Sequence, residues 1–277
     1  MSVTLGYSPC PNDTFIFYAL VHGKIVGAPA CAEILEDIET LNAMAMGGKL
    51  DMTKISFHAL AHLRDQYCLL HSGGALGRGC GPLVVAKGEV VPEHLRHKKI
   101  AIPGQLTTAA LLLRLFDAEI SRLEVMPFDN IIGATARGEV DAGVIIHESR
   151  FTYPNYGLQK VIDLGEWWEQ GTGYPIPLGG ILARRSLGAE LIGQIDHALA
   201  QSVEYAHANP EAVRGYIRDH AQEMDEAVMQ AHIDLYVNEY TLDYGAVGAA
   251  AIFDLIERAE RAGIAPASSV PLFLPKY

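Results

Sequence analysis

Apolar residues fall along this chain in short runs separated by amphipathic stretches, the spacing of strands that alternate with helices. Val3–Tyr7 reads as a first strand. The turn behind it, SPCPNDT, carries Asn12, Asp13 and Thr14, all suited to capping a helix N-terminus. Phe15–Val21 continues as a helix that Gly23 can end. A strand over Ala32–Ile38, a helix over Glu39–Met46 closed by Gly47 and Gly48, a strand over Asp51–Ser56 and a helix over Phe57–Asp65 follow. Tyr67–Leu70 and Pro82–Ala86 read as further strands. Such alternation predicts a parallel sheet with crossover helices.

A polar stretch around Lys87–His97 precedes a second series. It comprises a strand over Lys99–Pro103, an apolar helix starting at Thr107 or Thr108, a strand over Leu123–Met126, a helix over Asn130–Arg137 and a strand over Asp141–Ile146. The run Ala142–Ile146 is continuous and rich in β-branched residues, as in a strand buried on both faces, and it stops abruptly at His147, Glu148, Ser149 and Arg150. His147 then sits at the carboxyl end of a strand, where open α/β sheets bind ligands, and a histidine there takes up a proton near neutral pH. Leu178–Arg184 reads as a returning strand. From Gly188 the pattern is helical to the end, over Ala189–Ala208, Glu211–His220, Asp225–Val237 and Tyr244–Ala262. The expected organisation is one lobe from residues 1–87 and 180–277 and a second from 88–179, with crossings near Ala86–Gly88 and Gly179–Leu182 and a ligand cleft between them.

Composition narrows the function. The 277 residues are 49% hydrophobic and 19% charged, enough for a sizeable core, and the formal net charge of −12 does not suit a nucleic-acid partner. No run of about 18 apolar residues predicts a membrane span, and the first residues lack the basic and apolar regions of a secretory leader, so a cytoplasmic protein is expected. Cys10, Cys31, Cys68 and Cys80 are widely spaced and read as free thiols.

Several chemistries are disfavoured. The Gly-rich run HSGGALGRGCG lacks both GxGxxG and GK[ST], so its glycines are read as serving bends and close backbone approach. His58 and His62 have a zinc-like spacing, but position 59 is alanine and no third ligand is evident, so no metal site is expected. No GxSxG elbow is present.

Longer segments are more specific. GYSPCPNDTFIFYALVHGK at 6–24, KISFHALAHLRDQY at 54–67, SGGALGRGCGPLVVAKG at 72–88 and IIHESRFTYPNYGL at 145–158 together resemble the 1,4-dihydroxy-6-naphthoate synthase family of the futalosine route to menaquinone. IDLGEWW at 162–168 and PIPLGGILARR at 175–185 extend the resemblance over nearly the whole chain. It implies an α/β, two-lobed periplasmic binding protein-like type II fold with the ligand cleft between lobes. It also implies a cytoplasmic carbon–carbon lyase that cleaves cyclic dehypoxanthine futalosine to 1,4-dihydroxy-6-naphthoate, a small-molecule substrate, without cofactor, nucleic acid or membrane.

By the same resemblance His147 is the general base, and Lys54, Ile55, Ser56, Thr108 and Ala109 contact substrate. The residue chemistry agrees. Lys54 and Ser56 lie at a strand's carboxyl end, where a lysine suits a naphthoate carboxylate. Thr107 and Thr108 open a helix whose first N–H groups suit anionic or carbonyl oxygens. Asn12 and Asp13 read chiefly as caps, and Arg150 as pairing with Glu148 or a substrate carboxylate, or in a structural salt bridge. The rival reading is a non-catalytic solute-binding protein of the same fold.

Overall fold

The computed structural model describes residues 2–147, 149–221 and 225–274. The chain runs β1 (Ser2–Tyr7), α1 (Pro11–Val21), β2 (Ala30–Leu35), α2 (Ile38–Met46), β3 (Met52–Ser56), α3 (Phe57–Leu63), β4 (Tyr67–Leu69), β5 (Ala75–Gly77) and β6 (Leu83–Ala86). It continues through β7 (Ile100–Ile102), α4 (Thr108–Phe116), β8 (Leu123–Val125), α5 (Phe128–Arg137), β9 (Ala142–Ile145), the single turn α6 (Ser149–Thr152), β10 (Gln159–Asp163), α7 (Leu164–Thr172) and β11 (Ile176–Arg184). Then come α8 (Ala189–Ala208), α9 (Pro210–His220), α10 (Glu226–Tyr236), the short α11 (Glu239–Leu242) and α12 (Gly245–Arg261).

Two sheets result. The first has the order β2-β1-β3-β11-β4, with β5 also paired to β11, and the second β10-β6-β9-β7-β8. Both are mixed rather than parallel. β1 runs parallel to β2 and β3, and β7 parallel to β8 and β9, as the strand–helix alternation predicts. β11 is antiparallel to β3, β4 and β5, and β6 antiparallel to β9 and β10. The reason is topological. Strands followed by a crossover helix end at the cleft, whereas β6 and β11 follow a passage between lobes and start there.

Leu83–Ala86 therefore belongs to the second sheet and not to the first unit. The chain crosses between Gly77 and Leu83 and is back on the first sheet from Ile176, instead of crossing near Ala86–Gly88 and Gly179–Leu182. After α12 the chain is no longer helical. It returns to the first sheet, where Phe273 bridges Leu69.

Each sheet packs one face against its own helices, and a shared cluster that includes Ile55, Val84 and Leu111 joins the two. Leu5, Phe17, Ile181 and Leu199 pack β1, α1, β11 and α8 together, and Val85, Ala101, Ile131 and Ile145 pack the second sheet against α5. The Gly-rich run serves these contacts. A Cβ on Gly74 would stand 2.2 Å from the Tyr244 ring, and one on Gly81 would stand 2.3 Å from the Gly165 backbone. Among the described residues no helix is long and apolar enough to cross a membrane.

Candidate active site

The carboxyl ends of β3 and β9 and the N-terminus of α4 meet at one cleft. Lys54, Ile55, Ser56, Thr108, Ala109 and His147 all lie on its wall. A wider hollow near His71 and His197 contains none of them. The Asp196 carboxylate there accepts from the His71 and Ser72 amides.

His147 follows β9 after one residue, Ile146. Its φ is +55°, the one left-handed non-glycine backbone among the described residues. Histidine adopts that region more readily than bulky or β-branched residues do, yet at some energetic cost, and such outliers cluster at functional sites. The turn is anchored from behind. Arg150 donates to the Gly81 carbonyl and forms a 2.8 Å ion pair with Asp163, whose other oxygen caps α7 through the Gly165 and Glu166 amides. Arg150 is thus the structural salt-bridge residue among its readings, paired with Asp163. Glu148, the partner also considered, lies outside the described residues.

Around the half-buried imidazole stand Phe128, with ring centroids 4.9 Å apart, and the Cys10 sulfur, 3.4 Å from Nδ1. His232 lies parallel to it, 6.1 Å away with 7° between the ring planes.

The opposite wall is a hydrogen-bonded chain. The Lys54 ammonium donates to Asp13 Oδ1 at 2.6 Å, with Lys54 only 5% and Asp13 1% exposed. Ser8 Oγ donates to Asp13 Oδ2 at 2.7 Å, and Asn12 Nδ2 donates to Oδ1 at 2.9 Å. Asn12 Oδ1 lies 3.0 Å from His232 Nε2. Two expectations change here. Cys10, not Asn12 or Asp13, is the N-cap of α1, so both polar residues occupy its buried first turn. Lys54 is also not an isolated cation, because a buried carboxylate already faces it.

The remaining predicted contacts combine structure with access. Ser56 N donates to Asn42 Oδ1 at 3.0 Å. The Ile55 side chain is wholly buried, and a Cβ on Gly179 would come within 2.7 Å of its carbonyl oxygen, so glycine admits β11 here. Thr107 caps α4, accepting from Ala110 N at 3.2 Å. Thr108 and Ala109 fill the first turn, whose amides have no carbonyl one turn back to bond.

Thr108 also joins the lobes. Its hydroxyl donates to Leu178 O at 2.5 Å and accepts from Phe57 N at 2.9 Å. Nearby, Glu39 Oε1 accepts from Leu106 N at 3.2 Å. Gly104 leaves room for that carboxylate, since a Cβ there would lie 2.2 Å from Glu39 Cδ. His58 belongs to the same seam. It is buried with Nδ1 3.3 Å from Thr107 O, and burial, with smaller contributions from His62 and Arg114, lowers its pKa to about 4.

Sequence reasoning did not single out His232 as a site residue, nor Cys10 as a neighbour of His147. His232 carries one weak signal. It stands in the buried stripe of α10 with Met229, Ile233 and Tyr236, a polar residue where the pattern asks for an apolar one. Burial, then the neighbouring His147 and Lys54, lower its pKa well below the usual histidine value, so the ring is held neutral.

A family model described as menaquinone biosynthesis matches residues 3–261. This chain belongs to that family. It is 52% identical to a Thermus thermophilus protein named "1,4-dihydroxy-6-naphtoate synthase" over 99% of both chains. A Streptomyces coelicolor protein of the same name is 50% identical, with 96% of this chain and 95% of the relative covered. A crystal structure from Archaeoglobus fulgidus superposes with a TM-score of 0.89 at 39% identity, covering 95% of this chain and 98% of that one. The alkanesulfonate-binding protein of Xanthomonas axonopodis pv. citri, solved with MOPS bound, gives a TM-score of 0.72 at 13% identity over 96% and 94% of the chains. At that identity the likeness establishes the fold alone, the two-lobed architecture of periplasmic binding proteins.

Proposed function

We propose that this menaquinone-biosynthesis family member is the lyase that releases 1,4-dihydroxy-6-naphthoate from cyclic dehypoxanthine futalosine, with His147 as general base. The observation that carries the base assignment is the imidazole at the end of β9, turned into the cleft by a left-handed backbone and backed by Cys10. Carbon–carbon cleavage of this kind needs a base for the departing proton and donors for the oxyanion that develops. The first-turn amides of Thr108 and Ala109 serve as those donors. A lysine ammonium has three N–H donors, so Lys54 keeps capacity for a substrate carboxylate beside its bond to Asp13.

The same reading makes the protein a cytoplasmic enzyme on a small soluble substrate. Its net charge of −12 does not favour a polyanionic partner. Residues on both sheets line the cleft, so substrate enters between the lobes, which hydrogen bonds at Thr108 and Glu39 tie together. Incubation of the purified chain with cyclic dehypoxanthine futalosine, followed by chromatography, tests the function. Stoichiometric naphthoate supports the lyase. Substrate that binds but returns intact supports a solute-binding protein instead.

A further inference from the structure

The groups on the first lobe's side of the cleft form one directed chain that ends on a helix far along the sequence. An ammonium donates only, and a carboxylate accepts only. Asp13 must therefore receive both Lys54 Nζ, at 2.6 Å, and the Asn12 amide nitrogen, at 2.9 Å. This fixes the Asn12 amide with its oxygen toward His232, 3.0 Å from Nε2. An amide oxygen cannot donate, so His232 carries its proton on Nε2. Each orientation in the chain follows from the one before it.

The ring is seated to make that bond. His232 is 1% exposed and forms part of the cleft wall. Tyr236 packs on it with ring centroids 4.7 Å apart, and His147 lies parallel at 6.1 Å. The neighbouring His147 and Lys54 both disfavour an imidazolium at this ring. An N–H on Nε2 is what the Asn12 oxygen requires.

We infer that His232 is a positioning residue for the reaction: its Nε2–H fixes Asn12, which orients the Asp13 carboxylate and so aims the Lys54 ammonium at the substrate. This rests on the lyase reading for what Lys54 binds, but not for the chain itself. His232 thereby ties the C-terminal helices to the strand ends that carry the site, and a substitution on α10 acts on substrate affinity through three intervening side chains.

A glutamine amide nitrogen replaces His Nε2 closely, whereas leucine fills the space without a donor. We expect His232→Leu to raise KM about tenfold and to weaken binding of the naphthoate product by a similar factor. The pH profile of kcat stays in place. His232→Gln stays within about threefold of the unmodified enzyme in both quantities. Asn12→Ala reproduces the leucine variant, and the double variant is no worse than either single one, because both cut the same chain. Additive losses, or a glutamine variant as impaired as the leucine one, would overturn the inference. So would a leucine variant that loses kcat at unchanged KM.

A second measurement needs neither substrate nor turnover. Imidazole ¹⁵N–¹H correlation spectra of the unmodified protein should show His232 as the Nε2–H tautomer at every pH from about 6 to 9, with that resonance moved by Asn12→Ala. A neutral Nδ1–H tautomer, with no proton on Nε2, would refute the chain even if naphthoate is formed. Absence of naphthoate with the expected spectrum would refute the lyase reading and leave the chain standing.

Discussion

The Cys10 sulfur and Nδ1 of His147 are 3.4 Å apart, and they come from different lobes. Cys10 lies between Pro9 and Pro11 as the N-cap of α1, with φ −64° and ψ 149°, the extended conformation imposed on a residue before proline. A rigid point on one lobe thus meets the imidazole carried by the other. The contact exists only with the lobes together.

Removing that contact should cost rate and not affinity. Cys10→Ala is expected to lower kcat roughly fivefold, the worth of one modest hydrogen bond of about 1 kcal/mol, with KM within about twofold. Cys10→Ser should recover part of the loss. Steady-state kinetics of the two variants checks this, and an alanine variant with unaltered kcat contradicts it.

The seam between lobes makes a stability prediction. Thr108→Val leaves the Leu178 carbonyl and the Phe57 amide without the hydroxyl that serves both. Unpaired buried backbone groups cost about 1–3 kcal/mol each, so a loss of at least about 2 kcal/mol is expected in urea unfolding, with Thr108→Ser close to the parent. A valine variant of unchanged midpoint would show that the seam is open in solution.

Much of this arrangement was legible in the residue pattern, and the rest was not for definable reasons. The βα alternation gave β1 to β4 and β7 to β9, and the end of β9 gave His147, because burial on both faces leaves a continuous apolar run. Strand direction was not legible. The residues of β6 and β11 look like those of any buried strand, and only the passage between lobes makes them antiparallel. β5 was hidden among glycines, and β10, with its outward Gln159 and Lys160, lacks an apolar run. Cap-type residues at Asn12 and Asp13 suggested local bonding, while their partners Lys54 and His232 are 41 and 220 positions away. Such pairings are set by the fold and leave no local spacing to read.

Acid should destabilise the protein through its buried histidines. The His58 pKa falls from 6.5 to about 4 in the folded state, so below pH 6.5 the unfolded chain binds more protons. Stability is therefore full above pH 6.5 and declines as pH falls toward 4, by on the order of 3 kcal/mol for this group. His232 contributes with the same sign. His58→Asn, which keeps a donor near Thr107 O, should flatten the decline. Urea midpoints between pH 4 and 8 measure it, and equal slopes for parent and variant would contradict the assignment.

The base itself is tested most directly by His147→Asn in single turnover. Asparagine tolerates the left-handed backbone at this position, so the fold and cleft persist while the imidazole is gone. The account predicts a rate of naphthoate release lower by about 10²- to 10⁴-fold, with substrate Kd within about threefold of the parent. Release within tenfold of the parent rate at unchanged Kd would show that another group takes the proton.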